Sequence, residues 1–232
     1  MFLSRLRLLA IALPVIVLSG CLPRVDQAFS NDPNTPVRAD KTVFLMTATI
    51  KNTYRPSHQP KMLSTLVEKE TDKVPNTDNN RYFKSDALGK TESDSPETGS
   101  SYLIRMELEK GEYVLRGIPA LSSSFPIHGY FFVPIHAKLI SATPGVYYLG
   151  HVEANVRERK GNEFRAGNVI PLIDQAIAGA GGGTFDVAIT DQWVTDEEKF
   201  RKKFPALGAT PIQMAVLPEF DRQYVQKWWE DH

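Results

Sequence analysis

The chain of 232 residues is predicted to be mainly β, with an antiparallel β-sandwich followed by two short C-terminal α-helices. Several short segments alternate apolar and polar residues, which is the pattern of a half-buried strand. Turns containing Gly or Pro separate these segments, and the strands do not alternate with long helices as they do in α/β proteins. The apolar content of 42% is enough for a substantial core.

Five strands are predicted from short apolar or alternating segments. The first covers residues 42–50, where a continuous apolar run favours a strand buried on both faces. Shorter strands are predicted over residues 63–67 and 81–83. A longer strand covers residues 129–140, and a last alternating strand covers residues 185–189.

A hairpin is predicted in the centre of the chain. Residues 102–109 alternate between apolar and charged side chains, which predicts a half-buried strand. Lys110-Gly111 provides a tight turn, and residues 113–115 return as the partner strand.

Two strands carry features that bear on a site. Pro134 predicts an edge strand or a bulge, because proline cannot donate to a sheet ladder. Residues 146–159 form a second long strand, whose alternation predicts Tyr148 and Val152 on one face and His151 on the other, polar face.

The first C-terminal helix is predicted to begin with a capping box, in which Thr195 caps the helix and Glu198 occupies the third helical position. Phe200 and Phe204 are four residues apart and would form its buried stripe. Pro205 is expected to end it.

The second helix is predicted to start near Pro218. Phe220, Tyr224 and Trp228 then share one face, and Trp229 lies about 100° further round the helix. Trp228 and Trp229 are the candidate partner-binding residues, because aromatic side chains are enriched at interface centres. The alternative for Trp228 is simple packing of the helix on the sandwich.

The N-terminus is similar to a bacterial lipoprotein signal peptide. Arg5 and Arg7 precede a short apolar run over residues 8–18, and Leu18-Ser19-Gly20-Cys21 matches the lipobox at every position. Cys21 is the only cysteine of the chain.

That resemblance implies cleavage between Gly20 and Cys21 and a lipid on Cys21. The expected organisation is a signal peptide over residues 1–20, a lipidated cysteine and flexible tether over residues 21–41, and the β-sandwich domain over residues 42–232. Leu22 is not the Asp that commonly retains lipoproteins in the inner membrane, so the resemblance implies the outer membrane, on its periplasmic side.

The charge balance argues against a nucleic-acid partner. The chain has 27 basic and 27 acidic residues, and loss of Arg5 and Arg7 with the leader leaves a formal charge of −2. With Cys21 lipidated, neither a disulfide nor a thiolate metal site is expected.

The central motifs resemble a loose group of uncharacterised bacterial lipoproteins with Ig-like or transthyretin-like sandwiches. These motifs are Gly111-Glu112-Tyr113, the strand segment Gly145-Val146-Tyr147-Tyr148-Leu149-Gly150, and the Asp-led helix within residues 191–207. The resemblance covers about half of the mature chain and implies a fold and an envelope location. It implies no catalytic residues and no cofactor.

Three histidines are the candidate chemical groups of the central strands. His128, His136 and His151 could bind zinc or copper if the strands brought them together. The alternative is that they are surface histidines of a sandwich. No Gly-x-Ser-x-Gly elbow occurs, and the Gly-rich residues 178–183 precede a strand rather than the helix of a phosphate-binding loop.

The expected function is therefore that of a lipid-anchored envelope protein that binds another envelope protein or a cell-wall component without catalysis. An envelope hydrolase or metal-dependent enzyme using His128, His136 and His151 is the first alternative. A structural lipoprotein of a secretion apparatus is the second.

Overall fold

The structure is a computed structural model that describes residues 24–71, 77–91, 95–124, 127–167 and 175–232. The predicted signal peptide, the predicted cleavage site at Gly20 and the predicted lipidation site at Cys21 lie outside the described residues. Within them the protein is mainly β, as predicted, with two sheets and two helices of ten or more residues near the C-terminus. No helix among the described residues is long and apolar enough to cross a membrane.

The elements follow one another along the chain in the order of their numbers. The strands are β1 (Arg24–Val25), β2 (Thr42–Asn52), β3 (Lys61–Met62), β4 (Ser64–Lys69), β5 (Asn80–Lys84), β6 (Ser100–Leu108), β7 (Gly111–Ser124), β8 (Ile127–Ser141), β9 (Gly145–Glu158), β10 (Gly183–Thr190) and β11 (Ile212–Met214). The helices are α1 (Gln175–Ala178), α2 (Trp193–Lys203) and α3 (Arg222–Asp231).

The strands form two sheets that share one core. The first sheet has the order β1-β5-β4-β7, with β3 and β8 also paired to β7. The second has the order β10-β9-β2-β6, with β11 also paired to β9. The main hydrophobic cluster contains residues of both sheets, including Phe44 of β2 and Val133 of β8. Both sheets are mixed rather than purely antiparallel, because β1 runs parallel to β5, and both β2 and β11 run parallel to β9.

β2 is buried on both faces, as its apolar run predicts. Phe44 and Met46 belong to the core between the sheets. Val43 and Leu45 point to the opposite face and pack with Phe200 of α2 in a second cluster. α2 therefore covers one end of the outer face of the second sheet.

The predicted hairpin of residues 102–115 is wrong. β6 pairs with β2 in the second sheet, whereas β7 pairs with β4 and β8 in the first. β6 is also buried on both faces, and Arg105 is completely buried there. Its guanidinium pairs with the Asp86 carboxylate and lies 4.2 Å from the centre of the Phe204 ring. These two partners compensate the desolvation of the charged guanidinium, so Arg105 can occupy a buried position.

The segment expected to be a flexible tether is packed against the domain from residue 24 onwards. β1 pairs with Tyr82 and Phe83 of β5. The Gln27 side chain accepts a hydrogen bond from the Arg105 backbone N–H at 2.7 Å, and Phe29 is only 7% exposed. The turn-rich residues 32–36 suggested a flexible linker. The side chains of Gln27 and Phe29, which precede them, nevertheless pack the segment against the domain.

Both C-terminal helices begin at other residues than predicted. α2 starts at Trp193, whose N–H bonds to Asp191 Oδ1 at 2.9 Å, so Thr195 lies inside the helix and does not cap it. α3 starts at Arg222, and the Asp221 side chain accepts from the Tyr224 N–H at 2.9 Å. Asp221 is the N-cap of α3 and supplies the usual capping oxygen. The N-cap of α2 is Gln192, whose side chain makes no capping hydrogen bond, and the Asp191 carboxylate one residue earlier accepts from the first N–H of the helix instead.

Candidate functional site

An apolar groove of about 570 Å³ lies where α3 meets the first sheet. β4, β7, β8, α3 and the segment 164–167 provide its lining. The described lining residues are Leu63, Leu66, Pro119, Ala120, Tyr130, Phe131, Phe132, Pro134, Phe164, Arg165, Gly167, Val225, Trp228 and Trp229. Both tryptophans predicted to bind a partner are therefore part of this groove.

The groove has a buried interior and an exposed rim. Phe131, Phe164 and Val225 are at most 3% exposed and belong to the main core. Leu63 and Tyr130 are 45% and 46% exposed although both have large apolar surfaces. Apolar side chains at such exposure, next to a preformed cavity of this size, are typical of a ligand or partner site.

The amphipathic pattern of α3 sets the position of the tryptophans. Val225 is buried, and Trp229 packs against the core beside it. The N-terminal end of α3 is fixed because Arg222 pairs with Asp186 at 2.7 Å and with Glu163 at 3.4 Å.

A bulge in β8 places an imidazole against Trp228. Leu115 pairs with Ala137, but Gly117 pairs with Pro134, so β8 has one extra residue at this point. The bulge predicted from Pro134 is thereby confirmed. His136 adopts a positive φ of 52° within it, and its ring centre lies 4.6 Å from that of Trp228.

His136 is uncharged at neutral pH in this environment. Burial lowers its pKa to about 4, and electrostatic repulsion from Arg116 and His232 acts in the same direction. A neutral imidazole costs less to desolvate than a charged one, so it can pack against the aromatic face of α3.

Arg165 is the charged side chain among the described lining residues. Its Nη1 donates to the Gly181 carbonyl oxygen at 2.7 Å, which restricts the guanidinium. A second cation lies nearby, because the Arg159 guanidinium is 5.7 Å from the centre of the Trp229 ring. The groove therefore combines an apolar interior with positive charge at its side.

The three candidate histidines do not form one site. His128 bonds to Ser123 near the end of the β7–β8 hairpin, His136 packs on α3, and His151 lies in the second sheet. No group of three or more His, Cys, Asp or Glu side chains suited to a metal ion occurs among the residues the structure describes.

His151 is not on an exposed polar face, as its strand pattern predicted. Leu45 pairs with Tyr148, but Thr47 pairs with His151, so β9 bulges at Gly150, whose φ is 106°. The extra residue brings Tyr148 and His151 to the same face, beneath α2.

These two side chains meet the completely buried carboxylate of Asp196. The Tyr148 hydroxyl donates to Asp196 Oδ2 at 2.6 Å, and His151 Nδ1 lies 3.3 Å from the same oxygen. Burial alone would raise the pKa of Asp196, but the nearby donors of His151, Tyr148 and Thr47 outweigh it and lower that pKa. The cluster thus holds a carboxylate in place and joins α2 to β9.

The order of groups in this cluster has a chemical counterpart. Thr49 Oγ1 lies 3.0 Å from His151 Nε2, on the opposite side of the imidazole from Asp196. Hydroxyl, imidazole and carboxylate follow one another in this order in hydrolytic triads. None of these three side chains lines the apolar groove.

No family model, curated protein or solved structure matches this chain. The identification of the groove and of the His151–Asp196 cluster as candidate sites therefore depends on the geometry of this structure alone. The sequence indicated the two tryptophans of the groove but not Phe164, Arg165 or the pairing of His151 with Asp196. The run Tyr130-Phe131-Phe132 was the one available signal for the opposite wall, because three adjacent aromatic residues cannot all face the core of a strand.

Proposed function

We propose that this protein is a lipid-anchored component of the bacterial cell envelope that binds another envelope component in the groove beside α3. The observation that carries the proposal is the groove itself, which joins Trp228 and Trp229 to a preformed apolar cavity with an exposed rim. Binding, not catalysis, is the activity that such a lining supports. The scaffold is proposed to be an Ig-like or transthyretin-like sandwich.

The anchor would be the lipid on Cys21, on the periplasmic side of the outer membrane. Cys21 precedes β1 by three residues, which span at most about 10 Å, and β1 is paired to β5. A short connection of this kind would hold the groove close to the membrane. The partner class includes envelope proteins and other envelope molecules with an apolar part, and it excludes nucleic acids.

Crosslinking in intact cells tests the proposal. A photoreactive side chain replaces Trp229, and the matched control carries it at Val194, which is 92% exposed on α2 and outside the groove. We expect one recurrent adduct from position 229 and not from position 194. Equal adducts from both positions, or none from position 229, would contradict binding in the groove.

The anchor is tested separately by Cys21→Ala. We expect this variant to leave the outer-membrane fraction while its thermal unfolding stays that of the unmodified chain. Retention of Cys21→Ala in the outer membrane would refute the lipid anchor but would not contradict binding in the groove.

A second candidate function is hydrolysis with Thr49 as nucleophile, His151 as base and Asp196 as the orienting acid. The 3.0 Å approach of Thr49 Oγ1 to His151 Nε2 favours it. A fluorophosphonate probe should then label the protein, and labelling should be lost in Thr49→Val. An unlabelled protein would remove this candidate.

A further inference from the structure

We propose that the groove binds an acyl chain of an anionic phospholipid from the membrane that holds the protein. This inference rests on the proposed function and names the ligand class of the same site. Three observations support it: the chemistry of the lining, the position of Arg165, and the place where the described chain begins.

The lining suits a ligand that needs almost no hydrogen bonds. Its described side chains are apolar or aromatic apart from Arg165, and few of them carry a polar atom. A cell-wall polymer or an extended peptide would lose its hydrogen bonds to water and find few replacements there, at a cost for every buried polar group. An acyl chain has no such groups, so its burial in the groove is favourable along its whole length.

Arg165 favours a lipid headgroup that carries a negative charge. A guanidinium forms paired hydrogen bonds with phosphate oxygens, and it is less strongly hydrated than an ammonium group. The bond from Arg165 Nη1 to Gly181 O orients its plane beside the groove. Arg159, stacked near Trp229, adds positive charge on the α3 side. An anionic headgroup is thus favoured over a zwitterionic one.

The start of the described chain lies close to the groove. Leu66 of the groove pairs with Tyr82, and Tyr82 pairs with Arg24. Leu66 is therefore two strand spacings, or about 10 Å, from Arg24. Cys21 is at most about 10 Å further along the chain. The whole path is comparable to the roughly 15 Å depth of one leaflet of the hydrocarbon core, so lipids around the anchor can reach the groove.

Tryptophan quenching by brominated lipids tests the proposal on the complete acylated protein in nanodiscs. Trp228 and Trp229 line the groove and are two of the three tryptophans, whereas Trp193 packs on Tyr148 beneath the second sheet. One nanodisc carries bromine on the acyl chains of phosphatidylglycerol, with unlabelled phosphatidylcholine. The other carries it on phosphatidylcholine, with unlabelled phosphatidylglycerol, in the same proportions.

We expect much stronger quenching when phosphatidylglycerol carries the bromine. Leu63→Glu, at the rim, should reduce that quenching at least tenfold. Its matched control is Ile140→Glu, since Ile140 is 64% exposed on the same sheet but does not line the groove. Arg165→Gln should remove the preference between the two lipids. Lys138→Gln, which removes an exposed cation of β8 that does not line the groove, should preserve it.

Three results would overturn the inference. Equal quenching by both brominated lipids would mean that the tryptophans enter the bilayer without selecting a lipid. No quenching by either would mean that the protein's own unbrominated acyl chain, or a polypeptide, occupies the groove. Unchanged quenching in Leu63→Glu would place the lipid elsewhere. If quenching fails but position 229 still yields its adduct in cells, the proposed function stands and only the ligand class is wrong.

Discussion

Replacing His136 by asparagine should reduce the acid sensitivity of this protein. The His136 ring packs 4.6 Å from Trp228 and also contacts Tyr224 and Arg116 on the neighbouring strand. Its pKa in the folded protein is about 4, well below the ordinary value of 6.5. Asparagine does not titrate, and it tolerates the positive φ of this position.

The direction follows from proton binding. Between about pH 4 and pH 6.5 the unfolded chain takes up a proton at His136 and the folded protein does not, so unfolding becomes more favourable as the pH falls through this range. Above about pH 6.5 His136 is unprotonated in both states, so this loss of stability is absent. The difference between 6.5 and about 4 corresponds to at most about 3 kcal/mol. The imidazole is partly exposed, so screening by solvent reduces this to about 1–2 kcal/mol.

Urea unfolding at pH 7 and at pH 4.5 measures the effect. The free energy of unfolding should fall between these pH values by about 1–2 kcal/mol more in the unmodified protein than in His136→Asn. Lost packing on Trp228 changes the variant equally at both pH values and cancels from this comparison. His128→Asn, on an exposed stretch of the same strand, is the matched control and should behave as the unmodified protein. An identical pH dependence in His136→Asn would refute the reasoning.

The remaining predictions concern stability and are checked by the midpoint of urea unfolding. Asp196→Ala should lower the free energy of unfolding by about 3 kcal/mol, because it leaves buried donors without their acceptor. Tyr148→Phe should lower it by about 1 kcal/mol, because one hydrogen bond is lost. A larger loss in Tyr148→Phe than in Asp196→Ala would contradict this order. Gly167→Ala should cost about 2 kcal/mol or more, because its Cβ would lie 1.8 Å from the Tyr130 carbonyl oxygen. At Gly161 the φ is 56°, but no atom lies within 4 Å of a new Cβ, so Gly161→Ala should cost about 1 kcal/mol. Equal losses for the two variants would mean that the contact with Tyr130 is relieved and would contradict the prediction for Gly167.

Most strands could be predicted from the sequence because each depends on a local, two-residue period. β2, β4, β5, β8, β9 and β10 all lie where the alternation or apolar runs placed them. The pairing of strands could not be predicted in the same way, because it depends on contacts far apart in sequence. The turn at Lys110-Gly111 is compatible with a hairpin, yet there the chain crosses from the second sheet to the first.

The two bulges explain why the chemical groups were harder to place than the strands. One extra residue reverses every later side chain of a strand without changing its composition. The bulge at Gly150 put Tyr148 on the face of His151 instead of the face of Val152, and α2 covers that face, so both side chains meet the buried carboxylate of Asp196. The sequence drew attention to the two tryptophans of α3 but did not predict the groove, because Phe164 and Arg165 come from a segment with no regular period.

The packed N-terminal segment also bears on the order of folding during the export that we propose. β1 cannot pair before Tyr82 has left the translocation channel, and Phe29 packs on Phe204, whose ring centre is 5.9 Å away. A chain that emerges N-terminus first must therefore present almost its whole length before these contacts form. On the export route that we propose, the segment from Arg24 to Phe29 is therefore among the last parts of the domain to dock, so processing at Cys21 would precede the completion of folding.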